Sequence, residues 1–491
     1  MKPIALHVSS ELAPFHKAGG LGDVLAGLPP ALDRAGVDVR IVTGRYGVSK
    51  FASLGGFGAL RPWPLPIDLA VGGQTIRAHV YEAKTHGGAA TTYFVDAVHL
   101  SRGELYGYGD DAFRFAILSK AAIAIASVLA RSKGLGPIGV VHAHDWHAAL
   151  SMLYARTVAS AIRGVPTVFT IHNLAYQGEL PASETPWLDI GWGDYHRWFE
   201  HFGALNLMKG ALLLADRVTT VSPSYAREIQ TRELGHRLDG VLRAIDAKLS
   251  GIPNGIDTKT WDPAADAKLP VNFSASDPEP RELGRAALRW ELGLSQGGRD
   301  DPPILGVVSR FTHQKGIDLL GDVADAFVRG GGQIAALGEG DARLEERLHY
   351  LCLAHPGRIA YRRAFDDGLA RRIYGASDLF AMPSRFEPCG LAQLYAMRYG
   401  SIPVARATGG LVDTVQRLHN QHDVGGATGI LYDGGPDEAG ALLEALEWAR
   451  AIGRDRGARE ALRQNAMRAN HSWDHRALAY VELYRSVGMP I

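Results

Sequence analysis

Five short stretches of this 491-residue chain combine residue types that can do chemistry. Lys17-Ala18-Gly19-Gly20-Leu21-Gly22-Asp23-Val24 sets a cation beside glycines at the start of a helical segment. Glycine there lets the backbone approach a ligand closely, and a helix N-terminus favours an anion. The spacing is not Gly-x-Gly-x-x-Gly, because Leu25 stands where the last glycine belongs, and it is not a P-loop. Spacing alone leaves open a ligand loop and an ordinary tight turn. His142-Ala143-His144-Asp145-Trp146-His147 follows an apolar run. These are metal-ligand types, but no helix aligns them and no carboxylate-rich partner follows. A sugar-binding edge at a strand's carboxyl end is the reading they favour; satisfied structural histidines are the alternative. His172-Asn173 has the same placement.

Three more stretches lie in the second half. Ser309-Arg310-Phe311-Thr312-His313-Gln314-Lys315-Gly316 puts a guanidinium and an ammonium beside a turn, suited to a diphosphate unless both are simply solvated. Pro383-Ser384-Arg385-Phe386-Glu387-Pro388-Cys389-Gly390 holds one acid in a turn, and Thr408-Gly409-Gly410-Leu411 is a second glycine pair opening a helix.

The elements around these stretches alternate. Strands are expected at Ile4–Ser9, Val39–Thr43, Val140–Ala143, Thr167–Ile171 and Val218–Val221, with a first helix at Gly22–Ala35 and strand-like alternation over Leu65–Asp96. After a pause rich in glycine and proline near residue 250, strands resume at Ile304–Ser309, Ile334–Leu337, Leu379–Met382 and Ile402–Ala405, with a helix over Ile317–Val328; Ser274–Pro280 reads as a surface loop. Such alternation predicts an α/β protein with two doubly wound Rossmann-like domains facing a cleft. The expected division is 1–250, 251–470, and a final helix over 471–491 that packs back on the first domain.

Composition narrows the partners. Lys plus Arg equals Asp plus Glu at 52 each, so no global field recruits nucleic acid or a membrane surface, and an anionic ligand needs a local cluster of cations. Two cysteines, Cys352 and Cys389, cannot form a disulfide framework. The apolar run Phe115–Ala130 contains Lys120 and reads as a buried helix. With no secretion signal at the start, the expected location is the cytoplasm.

Taken together and in this order, the motifs closely resemble the bacterial and plant glycogen/starch synthases, glycosyltransferase family 5 with the GT-B fold. The resemblance also covers Tyr106–Ala121, Thr170–Gly178, Val221–Tyr225, Pro253–Asp257 and Leu337–Asp341. Lys-x-Gly-Gly-Leu and Arg-Phe-Glu-Pro-Cys-Gly-Leu are its most specific elements. It implies transfer of glucose from ADP-glucose to the non-reducing end of an α-1,4-glucan, with retention of configuration and release of ADP. It implies that Arg310 and Lys315 neutralise the leaving diphosphate, that backbone N–H groups at Gly409 and Gly410 after Thr408 bind its distal phosphate, and that Lys17 and Gly20 close over it. His172, Asp145 and Glu387 would surround the transferred glucose. Cys389, Gly390 and Leu391 would lie along the donor, with no covalent role for the thiol, and Phe365 would stack on the base where the family commonly has tyrosine. Arg363, Ala364 and Ala392 also depart from the family pattern. No cofactor is implied, and no metal: no two aspartates are separated by a single residue, so there is no Asp-x-Asp motif to hold an ion against the diphosphate.

Overall fold

The computed structural model describes residues 1–47, 59–158, 161–297, 301–420, 422 and 424–491. The chain forms two compact units: Met1–Gly255 with Trp473–Ile491, and Ile256–Ser472.

The first unit is built on β1 (Ile4–Val8), β2 (Asp38–Gly44), β3 (Arg61–Pro62), β4 (Ile67–Val71), β5 (Gln74–Thr85), β6 (Ala90–Asp96), β7 (Ile138–His144) and β8 (Thr167–Ile171). A small antiparallel sheet of β9 (Glu179–Pro181), β10 (Glu200–His201) and β11 (Ala204–Asn206) follows, then β12 (Arg217–Thr220) and β13 (Leu249–Gly251). The main sheet runs β13-β12-β8-β7-β1-β2-β6-β5-β3. It is parallel from β13 to β6, and β5 is antiparallel to β6. The Leu65–Asp96 alternation thus supplies edge strands, but its last strand, β6, joins the parallel core beside β2.

The sheet is covered on both faces, which is why its strands read as continuous apolar runs. Ile4, Leu6 and Val8 pack on one face with the helix Asp111–Arg131; Ala5 packs on the other with the helices Gly20–Arg34 and Trp473–Ser486. Among the described residues, Asp111–Arg131 is the one helix long and apolar enough to cross a membrane, but 78% of its most apolar window is buried inside the protein, which marks it as a core helix. Lys120 within it is paired with Asp189.

The second unit carries β14 (Ile304–Val308), β15 (Gln333–Leu337), β16 (Ile359–Arg362), β17 (Leu379–Met382), β18 (Ile402–Arg406) and β19 (Ile430–Tyr432). They form one parallel sheet in the order β16-β15-β14-β17-β18-β19. Ser274–Pro280 has no helix or strand. In each sheet the strand order reverses beside the first strand: between β1 and β7 in the first unit, and between β14 and β17 in the second. Loops on either side of such a switch point diverge and leave room for a ligand at the strands' carboxyl ends.

The C-terminal helix is seated by close contact. A Cβ built on Gly27 would lie 2.0 Å from Nε1 of Trp473, whose ring is buried. Gly27→Val is therefore expected to lower stability by about 1–3 kcal/mol through overpacking, read as a lower urea midpoint; an unchanged midpoint would show that this helix does not depend on the contact.

Candidate active site

In the first unit, the carboxyl ends of β1, β7 and β8 carry the candidate residues. The glycine loop does approach an anion, but the anion belongs to the protein. Glu11, three residues past β1, is buried, and its Oε2 accepts the backbone N–H groups of Ala18, Gly19 and Gly22 at 3.0, 2.9 and 3.3 Å. Its Oε1 accepts the hydroxyl of Tyr106 at 2.9 Å. Sequence reasoning missed both residues. The signal was an acid just past the first strand, ahead of a glycine-rich helix start. Lys17 and Gly20 stay exposed, and Lys17 Nζ lies 2.6 Å from Asp23.

Asp145 immediately follows β7 and has φ 56°, a conformation costly for any residue but glycine. It is buried, and its Oδ1 accepts the His172 N–H at 2.7 Å and the Asn173 N–H at 3.4 Å, tying the ends of β7 and β8 together. Burial pushes its carboxyl up to about 7, against those two hydrogen bonds; the nearby charge of Glu11 pushes the same way. His172 is half-buried, and burial holds its imidazole down at about 3, hence neutral.

The histidine stretch is corrected in part. His142 and His144 are not at a sugar-binding edge: they lie within β7, fully buried, and hydrogen-bond to other side chains. They and His7 bring their ring nitrogens within 4.8 Å of one another, close enough to invite a metal. All six of those nitrogens, however, are already in hydrogen bonds within the chain. His147 turns away and stacks on Tyr106, ring centroids 4.6 Å apart.

Beside these residues lies an open groove of about 670 Å³, lined by Tyr108, Asp111, Trp146, Tyr176, Gln177, Gly178, Glu179, His236 and Arg237 among others. Gly178 has φ 65°, and a Cβ there would lie 2.6 Å from the Trp146 ring, so only glycine lets the indole lie against this backbone. Gln177 bonds the His236 carbonyl at 2.9 Å, and Tyr176 is 57% exposed, leaving an aromatic face to solvent.

In the second unit, loops after β14 and β17 are stitched together. The Arg385 N–H donates to the Gln314 carbonyl at 2.9 Å, and the Arg385 guanidinium binds both Asp318 oxygens, at 2.9 and 2.8 Å, and Glu438 at 2.8 Å. Gly316, at φ 66°, sits where a Cβ would lie 2.1 Å from the Pro383 carbonyl oxygen. These contacts bring Lys315 Nζ to 2.5 Å from Glu387 Oε2, which also accepts the Ser384 hydroxyl at 3.0 Å. Arg310 is exposed and makes no ion pair among the described residues.

One expected donor here is taken. The Gly410 N–H donates to the Glu387 carbonyl at 3.0 Å, so in this structure it is engaged within the chain. Gly410 is required for another reason: a Cβ would lie 2.4 Å from the Cys389 Cα. Gly409 (φ 45°) and Gly390 (φ 75°) both have positive φ. Thr408 and Cys389 are buried, Leu391 is half-buried, and Phe365 is 84% exposed. Arg363 pairs with Glu345 at 3.1 Å.

Residues 5–244 match the family model described as starch synthase catalytic domain, and residues 291–468 match glycosyl transferases group 1. A protein named glycogen synthase from Anaeromyxobacter dehalogenans is 42% identical over 494 residues, covering 98% of each chain. Another of that name, from Streptococcus equi subsp. equi, is 39% identical and covers 98% of this chain and 99% of its own. The solved catalytic domain of starch synthase IV from Arabidopsis thaliana, bound to ADP and acarbose, superposes with a TM-score of 0.89 at 31% identity over 99% of both chains.

The buried imidazoles set a pH dependence. His7, His16, His147 and His172 are held at about 3, and His142 and His144 well below their ordinary value, by burial. Their folded values lie below the unfolded 6.5, so their contribution is full above pH 6.5 and lost as pH falls below it. Asp145, raised, acts in the opposite sense between about 4 and 7, but it is one group against six. Stability in urea is therefore expected to fall by at least ~3 kcal/mol from pH 7 to pH 5. A flat profile over that range would mean these histidines are not buried neutral.

Proposed function

The chain belongs to the glycogen and starch synthase family and is a glucosyltransferase of the GT-B fold; from that premise we propose that it transfers glucose from ADP-glucose to the non-reducing end of an α-1,4-glucan, with retention, releasing ADP. The observation that carries this reading is the contact between Lys315 and Glu387, which joins the loops after β14 and β17 on either side of the switch point of the second sheet. In a sugar nucleotide the diphosphate oxygens and the glucose hydroxyls are only a few bonds apart. A cation for the one and a carboxylate for the other, 2.5 Å from each other, match that spacing.

Breaking the anomeric bond builds positive charge on the sugar and negative charge on the departing phosphate. Arg310 and Lys315 oppose the phosphate charge, and the ammonium has donors enough to keep Glu387 while binding an oxygen. Glu387 accepts from sugar hydroxyls and holds negative charge near the cationic ring. His172, neutral by burial, offers a hydrogen bond without adding a positive charge where one is forming. The departing phosphate oxygen takes the proton of the acceptor hydroxyl, which attacks from the same face. Phe365 stacks on the base, and Lys17, Gly20, Gly390 and Gly409 line the donor. The aromatic groove at Trp146 and Tyr176 supports binding of the glucan, since sugar rings pack their C–H faces on such side chains. The ADP bound to starch synthase IV together with acarbose supports an adenine nucleotide donor here. We assign the enzyme to the cytoplasm, and assign it no cofactor, nucleic acid or membrane partner.

Two outcomes test this. Labelled glucose is expected to reach glycogen faster from ADP-glucose than from UDP-glucose, and to do so in excess EDTA, because cations of the chain rather than a metal neutralise the diphosphate. Preference for UDP-glucose would overturn the donor assignment, and loss of activity restored by one divalent ion would overturn the charge accounting. Arg310→Ala or Lys315→Ala is expected to lower turnover by roughly a hundredfold, about 3 kcal/mol of transition-state stabilisation, and Arg310→Lys to lose much of the activity because the planar fork is gone. Near wild-type turnover in either alanine variant removes that residue from the site.

A further inference from the structure

One face of the first unit's sheet carries a polar stripe under the C-terminal helix: His7 on β1, His142 and His144 on β7, Thr170 on β8 and Thr219 on β12. All five are fully buried, as is Tyr484 on that helix. The pairing sets them side by side, with His7 opposite His142, His144 opposite Thr170, and Thr170 opposite Thr219. They form one unbranched chain of hydrogen bonds that ends at His172. His172 Nε2 meets His144 Nδ1 at 3.0 Å, and His144 Nε2 meets His7 Nδ1 at 3.0 Å. His7 Nε2 meets the Tyr484 hydroxyl at 3.1 Å, and that hydroxyl meets His142 Nδ1 at 2.8 Å. His142 Nε2 meets Thr170 Oγ1 at 2.6 Å, which meets Thr219 Oγ1 at 2.7 Å.

A neutral imidazole carries one N–H, and a hydroxyl donates once. Every link then shares one sense: a reversal between two imidazoles sets two hydrogens or two lone pairs against each other, and a reversal at Tyr484 or Thr170, whose hydroxyl would accept from both neighbours, leaves that hydroxyl's own buried hydrogen without an acceptor. The far end decides which sense holds. Among the described residues, Thr170 Oγ1 is the sole hydrogen-bond partner of the Thr219 hydroxyl. If hydrogens ran from His172 toward Thr219, the last hydroxyl hydrogen would be buried with no acceptor, a costly defect. If they run the other way, every hydrogen from Thr219 to His144 is used, and the one left over sits on Nδ1 of the half-buried His172.

We propose that this relay, anchored at Thr219 and passed on by Tyr484, fixes His172 with its hydrogen on Nδ1 and its Nε2 as an acceptor. His172 then presents a hydrogen-bond donor to the transferred sugar. Thr219, Thr170, His142, Tyr484, His7 and His144 are positioning residues that act through it. The same sense puts the hydrogen on Nδ1 in all four histidines of the chain. The proposal rests on the reading of His172 as a substrate contact only in its kinetic consequence.

Neutron diffraction from deuterium-exchanged crystals of the full chain tests it directly. Deuterium is expected on Nδ1 of His7, His142, His144 and His172, and on Thr219 Oγ1 directed at Thr170. Deuterium on Nε2 of His172 overturns the relay's sense. Steady-state kinetics test its effect. Tyr484→Phe keeps the ring and removes the link, and is expected to lower kcat about tenfold with KM for the sugar nucleotide unchanged. Thr219→Val is expected to lower kcat less, and to have no further effect in the Tyr484→Phe background, because it acts on His172 only through Tyr484. Additive losses, or a change in KM alone, would falsify the relay and leave these residues a packing role. If His172→Ala retains transfer, the substrate role of His172 fails instead, while the deuterium positions still judge the relay.

Discussion

Parallel strand pairing is the constraint on which the rest of this structure depends. Each crossover must return over a face of its sheet, so every loop that follows a strand opens at the same edge. Glu11, Asp145 and His172 in the first unit, and Arg310, Lys315 and Glu387 in the second, all stand in the segments that follow parallel strands. Chemistry gathers there because backbone near a switch point is not fully used by the sheet, and because both faces of the sheet are already closed by helices.

Charge at these edges is paired in advance. Glu11 occupies the backbone donors of the glycine loop, Lys17 lies against Asp23, and Lys315 lies against Glu387. These groups are held in place by partners, whereas Arg310 is exposed and makes no ion pair among the described residues; preorganised charges need little reorganisation when charge develops nearby. The glycines follow from the same economy of space. Gly316 and Gly410 let two loops approach each other's backbone, and Gly178 lets an indole lie flat on a third.

Neutrality is arranged as carefully as charge. Six imidazoles buried in one unit hold no positive charge near neutral pH, and four of them join in one line of hydrogen bonds leading to His172. A histidine that stayed cationic beside a sugar ring gaining positive charge would oppose the reaction. The acid that ties its backbone, Asp145, is raised to about 7 by the same burial.

Much of the fold was legible in the sequence because its signals are local. Apolar runs at Ile4, Thr167, Ile304 and Leu379 became strands within a residue or so of their expected limits, since a strand buried on both faces needs such a run and nothing else nearby competes. The motif residues Lys17, Asp145, His172, Arg310, Lys315 and Glu387 lie in the segments that follow such runs, and the family resemblance singled them out there. Tertiary structure alone decided which partner each group has. Lys315 and Glu387 are 72 residues apart, and His7 and Tyr484 are 477 apart. No local pattern encodes that Glu11 fills the glycine loop, that the Gly410 N–H is taken by Glu387, or that His142 and His144 face a helix from the far end of the chain. Residue type and spacing fix what a side chain can donate, accept or charge. Which atom it meets depends on how sheets and helices bring distant segments together, and buried polar groups must then satisfy one another wherever they meet.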